Sequence, residues 1–562
     1  MSNSTSTETS TLSQTRQSSK NINQRVLITV NVVVALVTAF HLGFRLIYAD
    51  FIGFGPIFQQ TEDLHNKTSY NFFLEHFSRP ESPLYTNITC ILGAVIIVAF
   101  STKFAKLSLR YCLIWAIAAS VVGVPFAIST FIWQLHWLQT AGLCLSDLAL
   151  VISVCFQICI VQDLSNNKFK KIFTFFTGLF FALGTFVSCI VCLVTVDFPK
   201  IRLTVYLGIF LFSIPAIVGL LVIPDSLFFH IEQDEKLNVL DLLSTSLSTE
   251  NPSLQRSYEF YHDSKMSAED GKLIYTRAVA KCAYDGFLYV WLDKNGRTVA
   301  LLAITTNVLG AVCDHMFSLR WYIHQAYIPF QTEDSYTALF TITFAFLLGS
   351  LLAIPVALLL SRRCMFVSAC VVLLFCEIGH AITTTESMRQ EVGFDISYRM
   401  GVFLRVLQTI ISGATFSTHA WTIGAELAPR NIQVLVTSMG ISCRFFASEA
   451  FILLHVASSA SKTFIMSPLI CIVLIVGAII ISFYMPKGNG FFNMYSWWMN
   501  MSEDIHALRH FNQNKQQLCT NYNYSDALLN RCRRAHMRVV ESVVGSKSSS
   551  MVSKSEKSEK VN

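Results

Sequence analysis

Several ionisable or strongly polar side chains lie inside stretches of the sequence that are otherwise apolar. His41 and Arg45 are spaced i, i+4, so a helix places them on one face. Because an ionisable group at the centre of a lipid bilayer costs roughly 2.5–3.5 kcal/mol, each one predicts a partner or a water-filled cavity. The candidates of this first group are His41, Arg45, Asp147, Gln157, Asp314, His315 and Arg405.

A second group places acids and bases on shared helices. Glu377 and His380 are spaced i, i+3, and a protonatable acid beside a histidine is suited to taking up and releasing protons. Arg444 and Glu449 are five residues apart, which favours a structural ion pair between helices. Structural interpretations also exist for the first group. His41 fits a buried core histidine, and arginines near the end of an apolar stretch can extend to the lipid headgroups.

Motifs of common enzymes are missing from the sequence. It contains no G-x-x-x-x-G-K-[ST] loop for nucleotide phosphates and no H-E-x-x-H pair for a catalytic metal. The 16 cysteines lie mainly inside apolar stretches, which is typical of small buried residues rather than of disulfides or metal ligands. We therefore predict no catalytic residue, no metal and no cofactor, and do not expect an enzyme.

The composition explains why so many polar groups have apolar neighbours. Of the 562 residues, 53% are hydrophobic and only 14% are charged, and the mean hydropathy is +0.49. Soluble globular domains have about 25% charged residues, so the chain is predicted to be a membrane protein. Its long runs of Leu, Ile, Val and Phe favour transmembrane helices, because a helix satisfies its backbone hydrogen bonds internally.

Windows of about 20 apolar residues predict twelve transmembrane helices. Six lie in the first part of the chain, at 26–47, 85–102, 109–131, 141–161, 172–195 and 202–223. Six more follow at 298–318, 337–360, 365–384, 400–424, 432–456 and 464–484. The predicted fold is therefore an all-α polytopic membrane protein with two six-helix halves, 26–223 and 298–484.

Polar segments flank and separate the two halves. Residues 1–25 and 485–562 are predicted tails, and 224–297 is a predicted linker with short amphipathic helices. Basic residues in the short loops, such as Lys170 and Arg363, place these segments and both termini in the cytoplasm. The net charge of +6 reflects this excess of basic residues in the cytoplasmic loops and gives no reason to expect a nucleic-acid partner.

The opposite face carries acids and two N-glycosylation sequons, at Asn66 and Asn87. Asn66 is the better candidate, because Asn87 lies at the start of the second predicted span and so is close to the membrane. Glycosylation of this face fits an integral protein of the plasma membrane.

The stretch GAELAPRN, residues 424–431, follows the tenth predicted span on the cytoplasmic side. Pro429 cannot continue a helix, and the residue before a proline is displaced from helical angles, so the chain is predicted to break there. The simplest interpretation of Glu426 and Arg430 is a solvated turn that carries a cytoplasmic arginine.

Three segments resemble motifs of the major facilitator superfamily. Glu426-Leu-Ala-Pro429 resembles the Glu-x-x-Pro-Thr-x-x-Arg turn of its sugar porters and organic-ion transporters, although Gln433 stands at the arginine position. LVIPDSLFFH after the sixth span resembles their Pro-Glu-Ser-Pro segment, and FYMPKGNG after the twelfth resembles their Leu-Pro-Glu-Thr-Lys-Gly ending. Arg444, in the next span after the Glu-x-x-Pro turn, favours the organic-ion branch.

The resemblance implies that two halves surround a central pathway lined by spans 1, 4, 7 and 10. It would gather the first group of charges into an outer gate or substrate-binding ring. It also implies that Glu426, Pro429 and Arg430 form a cytoplasmic gate, with the solvated turn as the alternative.

The sequence thus predicts a secondary active or facilitative transporter of a small organic solute that works by alternating access. An organic ion is the favoured solute. Its expected partners are that solute, a coupled ion and the lipid bilayer, and a monomer is compatible with the sequence. The alternative is a transport-inactive receptor or scaffold of the same shape. It is favoured by the loop FSTKFAKLSLR, which lacks the aspartate of the superfamily's Gly-x-x-x-Asp-Arg-x-Gly-Arg motif.

Overall fold

Helices occupy nearly all of the chain that the computed structural model describes. The described residues are 24–47, 83–104, 107–133, 136–164, 167–195, 210–223, 294–316, 332–383, 390–428, 430–457 and 466–486, together with the single residues 205, 208, 290 and 385. Most of the predicted linker and of both tails lies outside them. Among the described residues, nine helices are long and apolar enough to cross a membrane, and three shorter apolar helices lie at the second, third and sixth predicted spans.

The N-terminal half comprises helices α1 to α6. Helix α1 runs through Gln24–Ala35, continues as a π-helical segment at Leu36–Phe40 and ends with residues 41–47. The others are α2 (Pro83–Phe104), α3 (Leu109–Trp133), α4 (His136–Leu164), α5 (Asn167–Val194) and α6 (Ser213–Val222), which follows a 3₁₀ turn at Phe210–Phe212.

The C-terminal half comprises α7 to α12. They are α7 (Lys294–Met316), α8 (Thr332–Leu359), α9 (Arg362–Thr383), α10a (Phe394–Ala414), α10b (Phe416–Leu427), α11 (Arg430–Ala457) and α12 (Met466–Tyr484). The tenth span, predicted as one helix, is broken at Thr415, whose φ of −129° and ψ of −90° are not helical. The hydroxyls of Ser412 and Ser417 lie 2.8 Å apart across this break.

The helices differ in how deeply they lie in the bundle. In α1, α4 and α7, 78% of the apolar window is buried within the protein, against 28% in α12. Phe483 on α12 is 78% exposed, as expected for a side chain that faces lipid. The first helix of each half and the fourth of the N-terminal half are therefore the most buried of the described spans.

The two halves repeat the same close helix contacts at glycine. A Cβ at Gly93 on α2 would lie 2.8 Å from the carbonyl oxygen of Leu148 on α4. The related contact in the C-terminal half joins α8 to α10a, where a Cβ at Gly349 would lie 2.3 Å from the carbonyl oxygen of Ile410. Only glycine lets the backbones approach this closely.

A second pair of glycines follows the same rule. Gly184 on α5 packs against the carbonyl group of Phe40 on α1, and Gly440 on α11 packs against that of Ala303 on α7. The step from residue 184 to 440 equals the step from 93 to 349. Equal spacing of equivalent contacts indicates that the halves are structural repeats.

The halves contact each other through α5 with α8 and α10b, and through α2 and α4 with α11. A Cβ at Gly178 on α5 would lie 2.4 Å from the Cα atom of Thr418 on α10b. Phe186 on α5 lies 5.5 Å from Phe340 and 5.8 Å from Phe344 on α8, measured between ring centroids. The interface is thus close, apolar and rich in aromatic rings.

Candidate functional site

A buried ion pair joins α1 to α4 in the N-terminal half. Arg45 Nε lies 3.0 and 3.2 Å from the two carboxylate oxygens of Asp147, and the side chains are 3% and 0% exposed. His41, one turn earlier on α1, stacks on Phe210 with ring centroids 4.5 Å apart. Its Nδ1 lies 2.5 Å from the carbonyl oxygen of Val37 in the π-helical segment. The two i, i+4 residues therefore lie at one site but have different partners.

A second buried ion pair joins α9, α10a and α12 in the C-terminal half. Arg405 Nη1 donates to Glu377 Oε2 at 2.8 Å and to Gln408 Oε1 at 2.8 Å. Gln408 Nε2 donates to the same Glu377 oxygen at 3.0 Å, and Ser467 Oγ donates to the other at 2.7 Å. Because three side chains donate to this carboxylate, the geometry favours a structural role for Glu377.

Three of the charges predicted to surround one vestibule, Arg45, Asp147 and Arg405, thus belong to two separate ion pairs, each within one half. Arg405, which was grouped with the α1 and α4 residues, contacts Glu377 of the second predicted group. Asp314 and His315 lie at the end of α7, and their side chains are outside the described part of the chain. His380 is buried one turn after Glu377, and its role stays a prediction.

Gln157 belongs to a polar chain that crosses the N-terminal half. The Thr38 hydroxyl on α1 lies 3.1 Å from Gln157 Oε1 and 2.9 Å from the carbonyl oxygen of Val34. Gln157 Nε2 donates to the Thr177 hydroxyl on α5 at 3.3 Å. These bonds satisfy a buried amide and hold α1, α4 and α5 together.

Trp421 of α10b, which the sequence analysis did not single out, lies where the halves meet. Its ring centroid is 5.3 Å from that of Phe181 on α5 and 6.2 Å from that of Phe445 on α11. The guanidinium carbon of Arg444 lies 4.1 Å from the Trp421 ring centroid, which is a cation–π contact. Trp421 is 2% exposed and touches an aromatic residue of one half and a charged residue of the other.

Arg444 and Glu449 were predicted to have a structural role, in an ion pair between helices. Both are buried on α11, at 2% and 7% exposure, and the described contact of the guanidinium is with Trp421. The Arg444–Glu449 pair stays a prediction.

Asn307 on α7 lies beside Trp421. Its Nδ2 donates to the carbonyl oxygens of Ala303, at 2.9 Å, and of Ala420, at 3.0 Å. Asn307 Oδ1 and Trp421 Nε1 are both buried and have no hydrogen-bond partner among the described residues. One acceptor on α7 and one donor on α10b therefore have no partner among the described residues, and a bound polar solute would satisfy them.

At the predicted cytoplasmic end, Glu426 ties α10b to the start of α9. Arg362 Nη2 lies 3.3 Å from Glu426 Oε1, and the Thr422 hydroxyl donates to the same oxygen at 2.8 Å. Both partners belong to the C-terminal half. A contact of Glu426 across the halves, as a gate requires, stays a prediction.

The break after α10b agrees with the position expected from its proline. Helix α10b ends at Leu427 and α11 begins at Arg430, whose side chain is not described, and Pro429 lies outside the described residues. Gln433, at the family's arginine position, donates from Nε2 to the carbonyl oxygen of Ala425 at 3.1 Å. It therefore caps the end of α10b with a neutral side chain.

The predicted sequons and the cysteines give no further site. Asn66 lies outside the described residues, and Asn87 lies in α2 with a side chain that is not described. None of the described cysteines is in a disulfide, including Cys189 and Cys192, which have a C-x-x-C spacing within α5.

Comparison with known proteins identifies the fold. No protein-family model and no curated protein sequence matches the chain. Its structure is similar to that of XylE, a proton:xylose symporter of the major facilitator superfamily, bound to 6-bromo-6-deoxy-D-glucose. The TM-score is 0.62 and the sequence identity is 10%, and the match covers 84% of this chain and 99% of that chain. A partially occluded inward-open conformation of XylE from E. coli has a TM-score of 0.53, 9% identity, and coverage of 82% and 100%.

At such low identity the likeness shows the fold alone. The chain is an integral membrane protein with the major facilitator fold, built from two six-helix halves. The predicted fold is confirmed.

Proposed function

We propose that the protein is a secondary active or facilitative transporter of a small organic solute that works by alternating access. The observation that supports this best is the position of Trp421, whose ring contacts Phe181 of one half and Arg444 of the other. A solute bound there would touch both halves, so that rocking of the halves would expose it to each side in turn. XylE is a precedent for transport by this fold, but not for the solute.

The side chains around Trp421 favour an organic ion as the solute. An indole face suits a flat apolar group, and a guanidinium binds carboxylates and other oxyanions through paired N–H donors. Asn307 Oδ1 can accept a further hydrogen bond from a hydroxyl or amine. We therefore assign the solute to small organic anions with an apolar part.

Any coupling to protons is better assigned to Asp147 than to Glu377. The Arg45–Asp147 pair joins two of the most buried helices, whereas Glu377 lies between α9, α10a and α12 and receives three donors. Protonation of Asp147 would weaken the contact of α1 with α4 and so change the shape of the N-terminal half.

The proposal is tested by uptake into vesicles that contain the purified protein. The screen uses labelled organic anions, organic cations and xylose, with and without a pH gradient. Trp421→Ala is expected to lower uptake of the accepted solute at least about tenfold, because it removes the contact surface shared by the halves. The matched control is Trp115→Ala on α3, which removes an indole that is 74% exposed and should leave uptake unchanged.

Other outcomes select the alternatives. Binding of a solute without accumulation would favour a transport-inactive receptor or scaffold with the same fold. Uptake that survives Trp421→Ala would remove the proposed site. Loss of the pH-gradient effect in Asp147→Asn, with solute exchange retained, is the expected result for coupling at Asp147.

A further inference from the structure

The guanidinium of Arg444 is held between an aromatic ring and a bare stretch of backbone. Its carbon lies 4.1 Å from the centroid of the Trp421 ring. On α7, a Cβ added at Gly310 would lie 2.7 Å from Nη1, 3.1 Å from Cζ and 3.5 Å from Nη2. Any side chain at position 310 would therefore occupy the space that the guanidinium fills.

Glycines on both α7 and α11 create this arrangement. Gly310 follows Asn307 by three residues on α7, and Gly440 precedes Arg444 by four on α11, so each pair shares one helix face. A Cβ at Gly440 would lie 2.7 Å from Asn307 Nδ2 and 3.2 Å from the carbonyl oxygen of Ala303. Gly440 lets the two helices approach, and Gly310 leaves room for the charge.

The orientation of the guanidinium decides what it can bind. Its five N–H groups lie in the plane of the guanidinium and point outward from its edge. Two parallel N–H groups match the two oxygens of a carboxylate better than a freely rotating charge does. A guanidinium restrained by its contacts with Trp421 and Gly310 is therefore preorganised for a planar oxyanion.

We propose that Gly310 is a specificity-determining residue, which holds the Arg444 guanidinium over Trp421 so that the site selects solutes with a carboxylate. The inference rests on the proposed function, because it concerns the solute site of the proposed transporter. Trp421 Nε1 and Asn307 Oδ1, buried and without hydrogen-bond partners in the described residues, support a ligand at this place.

Alanine at position 310 separates this role from folding. The clash is with the end of a long flexible side chain, so α7 and α11 can keep their packing while the guanidinium moves off the indole. Gly310→Ala is thus expected to fold normally and to lose selectivity. A substitution of Gly184, which faces a carbonyl group of α1, would instead separate two helices.

The experiment compares three probes that share a phenyl ring: benzoate, benzyl alcohol and benzyltrimethylammonium. Their dissociation constants are measured on the purified full-length protein by the shift of its unfolding temperature. The unchanged protein is expected to bind benzoate most tightly. In Gly310→Ala the preference for benzoate over benzyl alcohol should fall at least about tenfold, while the unfolding temperature without ligand stays within a few degrees.

Two further variants show whether Gly310 acts through Arg444. Gly477→Ala is the matched control, because its Cβ would lie 2.6 Å from Cδ1 of Leu309, the α7 residue next to Gly310. It should keep the preference for benzoate. In an Arg444→Ala background, Gly310→Ala should cause no further change in binding of any probe.

The outcomes distinguish this inference from the proposed transport. Retention of the benzoate preference in Gly310→Ala, or its absence from the unchanged protein, overturns the inference even if vesicles accumulate solutes. Loss of the preference in Gly310→Ala but not in Gly477→Ala supports it, even if no solute is transported and the protein is a receptor.

Discussion

Each half buries an ion pair that includes a residue of its fourth helix, but the described donors to the carboxylate differ between the two pairs. In the N-terminal half, Arg45 contacts both oxygens of Asp147 through one nitrogen. In the C-terminal half, the Glu377 carboxylate receives donors from three side chains on two other helices. A carboxylate with several donors loses less when one of them is removed, so the two pairs should respond differently to the same substitutions.

Breaking the Arg45–Asp147 pair should have the largest effect. Asp147→Ala removes the carboxylate beside a buried guanidinium and is expected to lower the free energy of unfolding by about 3–5 kcal/mol. Chemical unfolding of the purified protein in detergent measures this. The double variant Arg45→Met, Asp147→Leu removes both charges and should recover most of the loss. Equal losses in the single and double variants would contradict the pairing.

The same type of change in the C-terminal half should cost less. Glu377→Gln keeps an oxygen that can accept from Arg405 or Ser467, so we expect a loss of about 1.5–3 kcal/mol. Asp147→Asn is the matched variant and should be the more destabilising of the two in the same unfolding measurement. The opposite order would contradict the expected difference between the two ion pairs.

The glycine contacts extend the comparison of the two halves to helix packing. A Cβ at Gly184 would lie 2.1 Å from the carbonyl oxygen of Phe40, whereas the nearest atom at Gly440 is a side-chain nitrogen, Asn307 Nδ2. Gly184→Ala should therefore lower the free energy of unfolding by about 1–3 kcal/mol, and Gly440→Ala by less.

Gly208 provides the control for both glycine substitutions, because no heavy atom of the described residues lies within 4 Å of a Cβ placed there. Gly208→Ala is expected to leave the unfolding midpoint unchanged. Equal destabilisation at all three positions would mean that the close contacts are not the cause.

The neutral donors should have the smallest effect. Ser467→Ala removes one donor to Glu377 and leaves two, and single hydrogen bonds between membrane helices contribute about 0.6 kcal/mol on average. A thermal unfolding series of Ser467→Ala and Glu377→Gln should rank the serine second. A larger effect of Ser467→Ala would show that α12, rather than Arg405, anchors this carboxylate.

Spacing along a helix predicted which residues share a face, but not which helix that face meets. His41 and Arg45 are one turn apart, yet one stacks on Phe210 and the other binds Asp147. Likewise Glu377 was considered with His380, its neighbour on α9, whereas its bonded partners come from α10a and α12. The missing information is the rotation of each helix about its axis, which depends on packing with other helices.

The Trp421 site could not be predicted from the sequence for a different reason. A tryptophan in an apolar span resembles a lipid-facing or core aromatic residue, and Trp115 shows that such a residue can be 74% exposed. Asn307 and Gly310 carry no charge, so the pattern of ionisable groups in the apolar stretches does not include them. Arg444 was the one available signal, because a buried charge requires a partner.

The sequence by itself predicted the membrane-spanning character, twelve transmembrane helices and their division into two halves. These follow from local apolar runs, because in a bilayer each helix must satisfy its own backbone hydrogen bonds. Only the tertiary structure decided that Arg45 meets Asp147, that Glu377 meets Arg405, and that Arg444 lies between Trp421 and Gly310. Those contacts join residues far apart in the chain, and they depend on close approaches that no local pattern encodes.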